Sequence, residues 1–399
     1  MLLKPPDHIT SRERCSIVRL ALTDFRCYEQ LKLGTDSRPA VLTGPNGAGK
    51  TNILEAISFL APGRGLRRAR MQDVTRNDKM LNSSPGILRW AISTTLETST
   101  GNIKIGTGFE NTGNGEDGGR RVVRLDESNA NSHAMLGEVL AIVWLLPEMD
   151  RLFTGNAEAR RRFLDRLVAA FDPKHITRLN NYTQAMRERT RLLRDDRAGL
   201  RNLDMDWVSA LEQRMVESGI ALAAARWSFV SRLGSACKLV VGPFPAAGLS
   251  LIGDVETWLD QYAALEAEDC FRTALSESRV SDREAGRALI GPHRSDFAVT
   301  HLSKNQPAAI CSTGEQKALL ISIVLAHARL VALDRGVPPL LLMDEIVAHL
   351  DAERRAALFD EICSIGAQAW MTGTDRTLFN DLGDRAQYFH VENAIVHTV

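Results

Sequence analysis

Pro39-Ala40-Val41-Leu42-Thr43-Gly44-Pro45-Asn46-Gly47-Ala48-Gly49-Lys50-Thr51-Asn52 reads as an apolar strand, a glycine-rich turn and the opening of a helix that continues through Ile53-Leu54-Glu55-Ala56-Ile57. The spacing fits G-x-x-x-x-G-K-[ST], in the strand-to-helix context that this pattern requires. Gly44, Gly47 and Gly49 let the backbone turn its N–H groups toward a triphosphate at the positive end of the helix. Lys50 supplies a point charge to the outer phosphates, and the Thr51 hydroxyl is placed to hold Mg²⁺. The competing reading is a plain glycine turn between a strand and a helix.

A second stretch complements it near the C-terminus. Pro338-Pro339-Leu340-Leu341-Leu342-Met343-Asp344-Glu345 is a continuous apolar run ending in two carboxylates. Such a run suits a central parallel strand covered on both faces, with its last residues reaching a site. Asp344 is expected to hold Mg²⁺ through water, and Glu345 to orient and activate the attacking water. Asp351 follows six residues after Glu345, ahead of a helix over 352–360. Upstream, Ser312-Thr313-Gly314-Glu315-Gln316-Lys317 opens an apolar helix with Ser312 as its N-cap. That tip is either a second phosphate-binding backbone or a capped helix.

Length and composition bound the rest. A chain of 399 residues should hold more than one domain. Lys plus Arg and Asp plus Glu both number 49, so any nucleic-acid surface must come from local segregation of charge. Cysteines at 15, 27, 237, 270, 311 and 363 show no metal-ligand spacing and read as scattered thiols of a reducing compartment. No apolar run approaches the roughly 18 residues of a membrane helix. The proline-broken start lacks a signal-peptide pattern, so a cytoplasmic, membrane-free protein with a loose tail over 1–14 is expected.

Along the chain, residues 16–33 alternate as a hairpin leading into the first strand, and Arg26 there is either a nucleotide contact or a turn residue. The loop holding Arg64, Arg67, Arg68 and Arg70 is either solvated or a contact to nucleotide or DNA phosphates. Residues 87–125 read as an antiparallel meander around a Gly/Asn-rich tract at 111–119, and 141–146 as a short buried strand. From Glu158 to Arg201 the pattern turns helical, with twelve basic against six acidic residues. Arg160, Arg161, Arg187 and Arg191 there are candidates for a DNA-facing surface, against the alternative of a solvated face. Further helices are expected over 207–227 and 256–274, without sustained heptads.

The order of P-loop, serine-glycine helix tip, Asp-Glu strand and downstream Asp resembles the ATP-binding cassette family. That resemblance implies ATP held between Lys50 of one copy and Ser312 of a second, with Gly314, Glu315 and Asp351 also at the nucleotide. The stretch Ala369-Trp370-Met371-Thr372-Gly373-Thr374-Asp375 offers no switch histidine, and Thr374 or Thr372 stands nearest that position. Three longer motifs narrow the family. Pro147-Glu148-Met149-Asp150-Arg151-Leu152-Phe153-Thr154-Gly155 with Arg160-Arg161-Arg162-Phe163-Leu164-Asp165, then Gly291-Pro292-His293-Arg294-Ser295-Asp296, then 343–354 resemble the signatures of the RecF family, although Ala157 stands where proline is usual.

The resemblance implies an α/β cassette-type ATPase head with a mixed parallel sheet and an antiparallel side sheet. The head would span 15–157 and 281–399, with a compact helical arm inserted at 158–280. It further implies ATP and Mg²⁺ as cofactors, an ATP-dependent homodimer, binding to double-stranded and gapped DNA, and work with RecR, RecO and RecA in gap repair and SOS induction. A transporter-type cassette that moves a protein partner is the alternative.

Overall fold

The computed structural model describes residues 14–76, 88–112, 119–126, 128–129, 134–200, 204–239 and 242–399. The expected N-terminal tail and the centre of the Gly/Asn-rich tract lie outside these. The chain divides into two compact units, one comprising the residues up to Met149 together with His327–Val399, the other Asp150–Ala326. The expected arm, 158–280, falls inside the second.

The first unit opens with β1 (Cys15–Phe25), β2 (Tyr28–Gly34), β3 (Ala40–Thr43) and helix α1 (Lys50–Ser58). It continues through β4 (Leu88–Thr98), β5 (Gly101–Asn111), β6 (Gly119–Leu125), the short β7 (Ser128–Asn129), α2 (Met135–Val139) and β8 (Ile142–Leu145). The second unit carries α3 (Ala157–Phe171), α4 (His175–Arg197), α5 (Met205–Lys238), β9 (Ala247–Ile252), α6 (Asp254–Gln261), α7 (Ala264–Glu277), α8 (Arg279–Ala285), β10 (Asp296–His301) and β11 (Gln306–Pro307). Helix α9 (Thr313–Arg335) starts there and ends in the first unit, followed by β12 (Leu340–Met343), α10 (Ala352–Ile365), β13 (Ala369–Gly373), β14 (Gln387–Glu392) and β15 (Ile395–Thr398).

Two sheets form the first unit. One runs β15-β14-β3-β13-β12-β8 and is parallel except for the β14–β15 pair; the other, β2-β1-β4-β5-β6-β7, is antiparallel throughout. The strands β3, β8, β12 and β13 are buried at every residue, which explains their unbroken apolar runs. Parallel registry places Thr43 beside Gly373 and Leu342 beside Trp370, so the strand ends that carry the loops emerge on one edge. Phe25, Phe59 and Trp90 interlock at ring separations of 5.3–6.0 Å, packing the end of α1 on the antiparallel sheet. Buried Gln368 joins the sheets: its amide nitrogen donates to the Ile17 and Asp36 carbonyls, and its oxygen accepts from the Ile17 N–H at 2.9 Å.

The second unit is less purely helical than its periodicity suggests. Strand β9 pairs antiparallel with β10, and β10 with β11, in a three-stranded sheet. Its helices are fastened by buried ion pairs. Asp165 accepts from Arg226 and from His175, each at 2.8 Å, and Arg189, fully buried, reaches Glu212 and Asp282. Burial works against the Asp165 carboxylate, but Arg226 and His175 hold its pKa down at about 2.

One expectation needs correction. Helix α9 is by length and composition capable of crossing a membrane, because its apolar run continues past the few polar residues that interrupt it. Some 83% of its most apolar window is buried inside the protein, the position of a core helix. Cys15, Cys237 and Cys311 are buried and Cys27 is exposed.

Candidate functional site

The loop after β3 is shaped by two close approaches. A Cβ at Gly44 would lie 2.1 Å from the Val391 carbonyl oxygen, and one at Gly49 2.6 Å from the Tyr28 hydroxyl; both residues have φ between +110° and +145°. Only glycine fits either position. Pro45, Asn46 and Gly47 remain exposed at the crest, whereas Ala48 and Gly49 are buried and the Ala48 carbonyl accepts the Ala394 N–H. Helix α1 starts at Lys50, whose ammonium donates to the carbonyls of Gly44 at 2.7 Å and Pro45 at 2.8 Å. Burial draws the Lys50 pKa down, while Glu345 and Asp344 pull it back up.

The tip of β12 meets this loop. Thr51 Oγ1 donates to Asp344 Oδ1 at 2.9 Å, and Thr372 Oγ1, at the end of β13, donates to the same oxygen at 2.7 Å. Glu345 sits at φ +52°, an uncommon conformation for a non-glycine residue, and its N–H donates to Thr372 Oγ1 at 2.9 Å. Lys50, Thr51, Asp344 and Glu345, separated by close to 300 residues, therefore form one constellation. Asp351 caps α10 by accepting the Arg354 N–H at 2.8 Å.

Behind α1, Glu55 is fully buried and takes two bonds from Arg26, at 2.7 and 2.9 Å, and one from Arg67 at 3.1 Å. Arg26 thus clamps the helix, and Arg67 also reaches Asn52 Oδ1 at 2.9 Å. Arg64 and Arg68 are exposed on the same loop. Arg121, from β6, reads in the sequence only as part of the alternating meander over 87–125. It donates to the carbonyls of Phe59 and Gly63 and to Thr107, placing a cation at the C-terminal end of α1, which has no basic residue in its last turn. Burial lowers its pKa to about 10.

In the second unit the Ser312 tip has a capping-box arrangement. The Ser312 N–H and hydroxyl donate to Glu315 Oε2 at 3.0 and 2.9 Å, and the Glu315 N–H points back at Ser312 Oγ. Lys304 braces the other Glu315 oxygen; this bond first, and the Ser312 bonds after it, hold the Glu315 pKa down at about 2. Gly314 has open space where a side chain would begin.

The four arginines named from the helical segment separate into two kinds. Arg160 is held by both oxygens of Asp296 at 2.7 Å and by the Gly155 carbonyl, and Arg161 donates to the Ser295 carbonyl. These two brace α3 against the Gly-Pro-His-Arg loop, which turns them from a DNA-facing role to a structural one. Arg187 and Arg191 are exposed on α4.

Comparison with known proteins agrees with this geometry. Residues 16–397 match the family model described as RecF/RecN/SMC N terminal domain. The chain is 47% identical over 385 residues to the DNA replication and repair protein RecF of Rhizobium etli, covering 96% of this chain and 99% of that protein. It is 49% identical over 382 residues to its counterpart in Mesorhizobium japonicum, covering 95% and 97%. Among solved structures, the recombination mediator protein RecF of the RecFOR pathway, in a form with ATP, superposes with a TM-score of 0.80 at 18% identity over 98% of this chain and 100% of that one. An Smc head domain from Pyrococcus furiosus gives 0.52 at 16% identity over 96% of each. This full-length likeness sets aside the transporter-type cassette. The chain belongs to the RecF family of DNA replication and repair proteins and has the ATPase head fold shared by RecF and SMC proteins.

Proposed function

We propose that the chain binds ATP with Mg²⁺ at the Gly44–Thr51 loop, hydrolyses it slowly, and uses the bound nucleotide to pair with a second copy on DNA. The observation that carries this reading is the convergence of Thr51 and Thr372 on Asp344, beside Lys50 and Glu345. A hydroxyl and a carboxylate are hard oxygen donors, and no cluster of three His, Cys, Asp or Glu suited to a metal occurs among the described residues. This sparse set suits Mg²⁺, which keeps most of its sites for water and phosphate. Bound there, the ion would neutralise charge on the phosphate oxygens. Lys50 would exchange its loop carbonyls for the outer phosphates, the N–H groups of Gly47 to Thr51 would cradle them, and Glu345 would orient the attacking water.

The Ser312-Thr313-Gly314 tip of a second copy would close over the nucleotide, with Glu315 keeping the tip in shape and Asp351 at the seam. Domain boundaries at 157/158 and 280/281, a cytoplasmic site of action, and cooperation with RecR, RecO and RecA at duplex and gapped DNA belong to the same reading. The repair role is supported by the naming of its relatives as DNA replication and repair proteins and of a solved relative as a recombination mediator of the RecFOR pathway. Light-scattering mass measurements test it. Lys50→Met should lose nucleotide binding and stay monomeric, whereas Glu345→Gln should bind ATP, lose turnover and accumulate as a DNA-bound dimer. A Glu345→Gln protein that remains monomeric with ATP would overturn the face-to-face arrangement.

A further inference from the structure

The second unit contains an open pocket of about 490 Å³ whose lining includes Arg187, Arg191 and Arg194 from α4 and Arg287 and Arg294 from the segment after α8. No carboxylate lines it. The three α4 arginines fall at i, i+4 and i+7, one face of a helix, and all five are exposed. Arg191 has only a loose 3.6 Å approach from Asp195, and the guanidinium groups of Arg187, Arg194, Arg287 and Arg294 have no acidic partner among the described residues.

This departs from the habit of the surrounding chain. Arg160, Arg178, Arg189, Arg226, Arg279 and Arg283 in the same unit are each matched to a carboxylate. The pocket wall is also built rigidly. His293 is bonded on both ring nitrogens, to the Tyr182 hydroxyl at 2.7 Å and the Ala288 carbonyl at 3.0 Å, so it fixes the Arg287–Arg294 segment and offers no free nitrogen to a ligand. Five like charges around one cavity, four without an acidic partner and Arg191 with only the loose Asp195 contact, repel one another, and an anion relieves that repulsion.

We infer that this pocket is a second phosphate-binding site, separate from the Gly44–Thr51 loop, that accepts a single run of closely spaced phosphates between its two arginine walls. Guanidinium forks suit phosphate oxygens, which they can grip in pairs. A cavity of this size admits a triphosphate or one nucleic-acid strand, whereas a duplex meets a protein on an open face or through an element laid in its major groove, about 12 Å wide. The proposal goes beyond the reading of Arg187 and Arg191 as surface contacts, because it joins them to Arg194, Arg287 and Arg294 in one site.

Calorimetry with inorganic tripolyphosphate tests it, in a Lys50→Met background that removes the nucleotide loop's contribution. Tripolyphosphate should still bind, and Arg187→Gln with Arg287→Gln, one change on each wall, should weaken it at least tenfold while the thermal melt is unchanged. With Lys50 intact, the same pair should leave ATP turnover as it was, so this result is read separately from the nucleotide reading. A fluorescent 12-nucleotide single strand identifies the source. If tripolyphosphate displaces it and the pair of changes lowers its salt slope by about 1.4, the run is a strand backbone; if it is indifferent while tripolyphosphate responds, the run is a free polyphosphate. Equal binding of both probes to parent and variant, or a loss seen only with duplex, would overturn the inference.

Discussion

Thr372 Oγ1 donates to Asp344 Oδ1 at 2.7 Å and accepts the N–H of Glu345 at 2.9 Å, so one hydroxyl fixes two consecutive carboxylate residues. Glu345 is thereby kept at φ +52°, a conformation that costs about 1 kcal/mol or more for a residue with a Cβ. The hydroxyl stands near the end of β13, the strand next to β12, and with Thr374 lies nearest the position at which the cassette resemblance implies a switch histidine. A histidine would sense phosphate directly, whereas Thr372 acts by positioning. Thr372→Val, which keeps the shape and removes both bonds, should lower ATP turnover at least tenfold and shift nucleotide affinity less than threefold. Thr372→Ser should restore turnover. A Val variant with normal turnover would show that the clasp has no part in orienting Glu345.

Gly44 and Gly47 share a left-handed backbone but not a neighbourhood. A Cβ at Gly44 meets the Val391 backbone at 2.1 Å, whereas one at Gly47 meets nothing within 4 Å. Gly47→Ala should therefore cost only the conformational penalty of about 1 kcal/mol. Gly44→Ala must displace β14 or the loop and should cost about 3 kcal/mol or more, read as a melting temperature lower by roughly 6–12 °C. Equal melting temperatures for the two variants would contradict the contact.

Acid should loosen the second unit at a milder pH than its carboxylates require. Burial pushes the His293 pKa down to about 4, and protonating Nδ1 would remove the acceptor of the Tyr182 hydroxyl. Between its unfolded value of about 6.5 and this folded value the unfolded chain holds the extra proton, so stability falls as pH falls through that window, by up to about 3 kcal/mol. Asp165 contributes a further stability of about 2–3 kcal/mol, fully present above its unfolded pKa near 3.9 and lost as pH falls to about 2. Urea midpoints measured from pH 7 to pH 4 should decline for the parent protein and decline less for His293→Gln.

The Asp165–Arg226 pair is buried and bidentate. Arg226→Met leaves the carboxylate with His175 alone and should cost about 3–5 kcal/mol. Combining it with Asp165→Asn should cost clearly less than the sum of the two single changes, since the double variant strands no charge. Additive losses in a denaturant cycle would mean that the two groups do not depend on each other.

What the sequence disclosed depended on range. The loop at 44–51 and the run ending in Asp344-Glu345 are local patterns whose chemistry follows from residue type and spacing, and the structure brings them together. Arg160 was legible only as one of many arginines because its partner, Asp296, lies 136 residues away. Strand β9, Ala-Gly-Leu-Ser-Leu-Ile, is short and only partly covered, and its pairing with β10 is set by tertiary contact rather than by a strong alternation. Arg121 gave no signal, since an arginine in an alternating strand ordinarily faces water, and its carbonyl partners come from the turn after α1.

The lysine of the nucleotide loop also has a structural consequence. By gripping the carbonyls of Gly44 and Pro45, the Lys50 ammonium acts as a template for the curve in which it stands, while Val391 walls that curve from behind. The curve is thus held by contacts within the chain itself, and a loop so braced has little ordering entropy left to lose on binding. Affinity here would be governed by how strongly one cation prefers anionic phosphate oxygens to the neutral carbonyl oxygens it now holds.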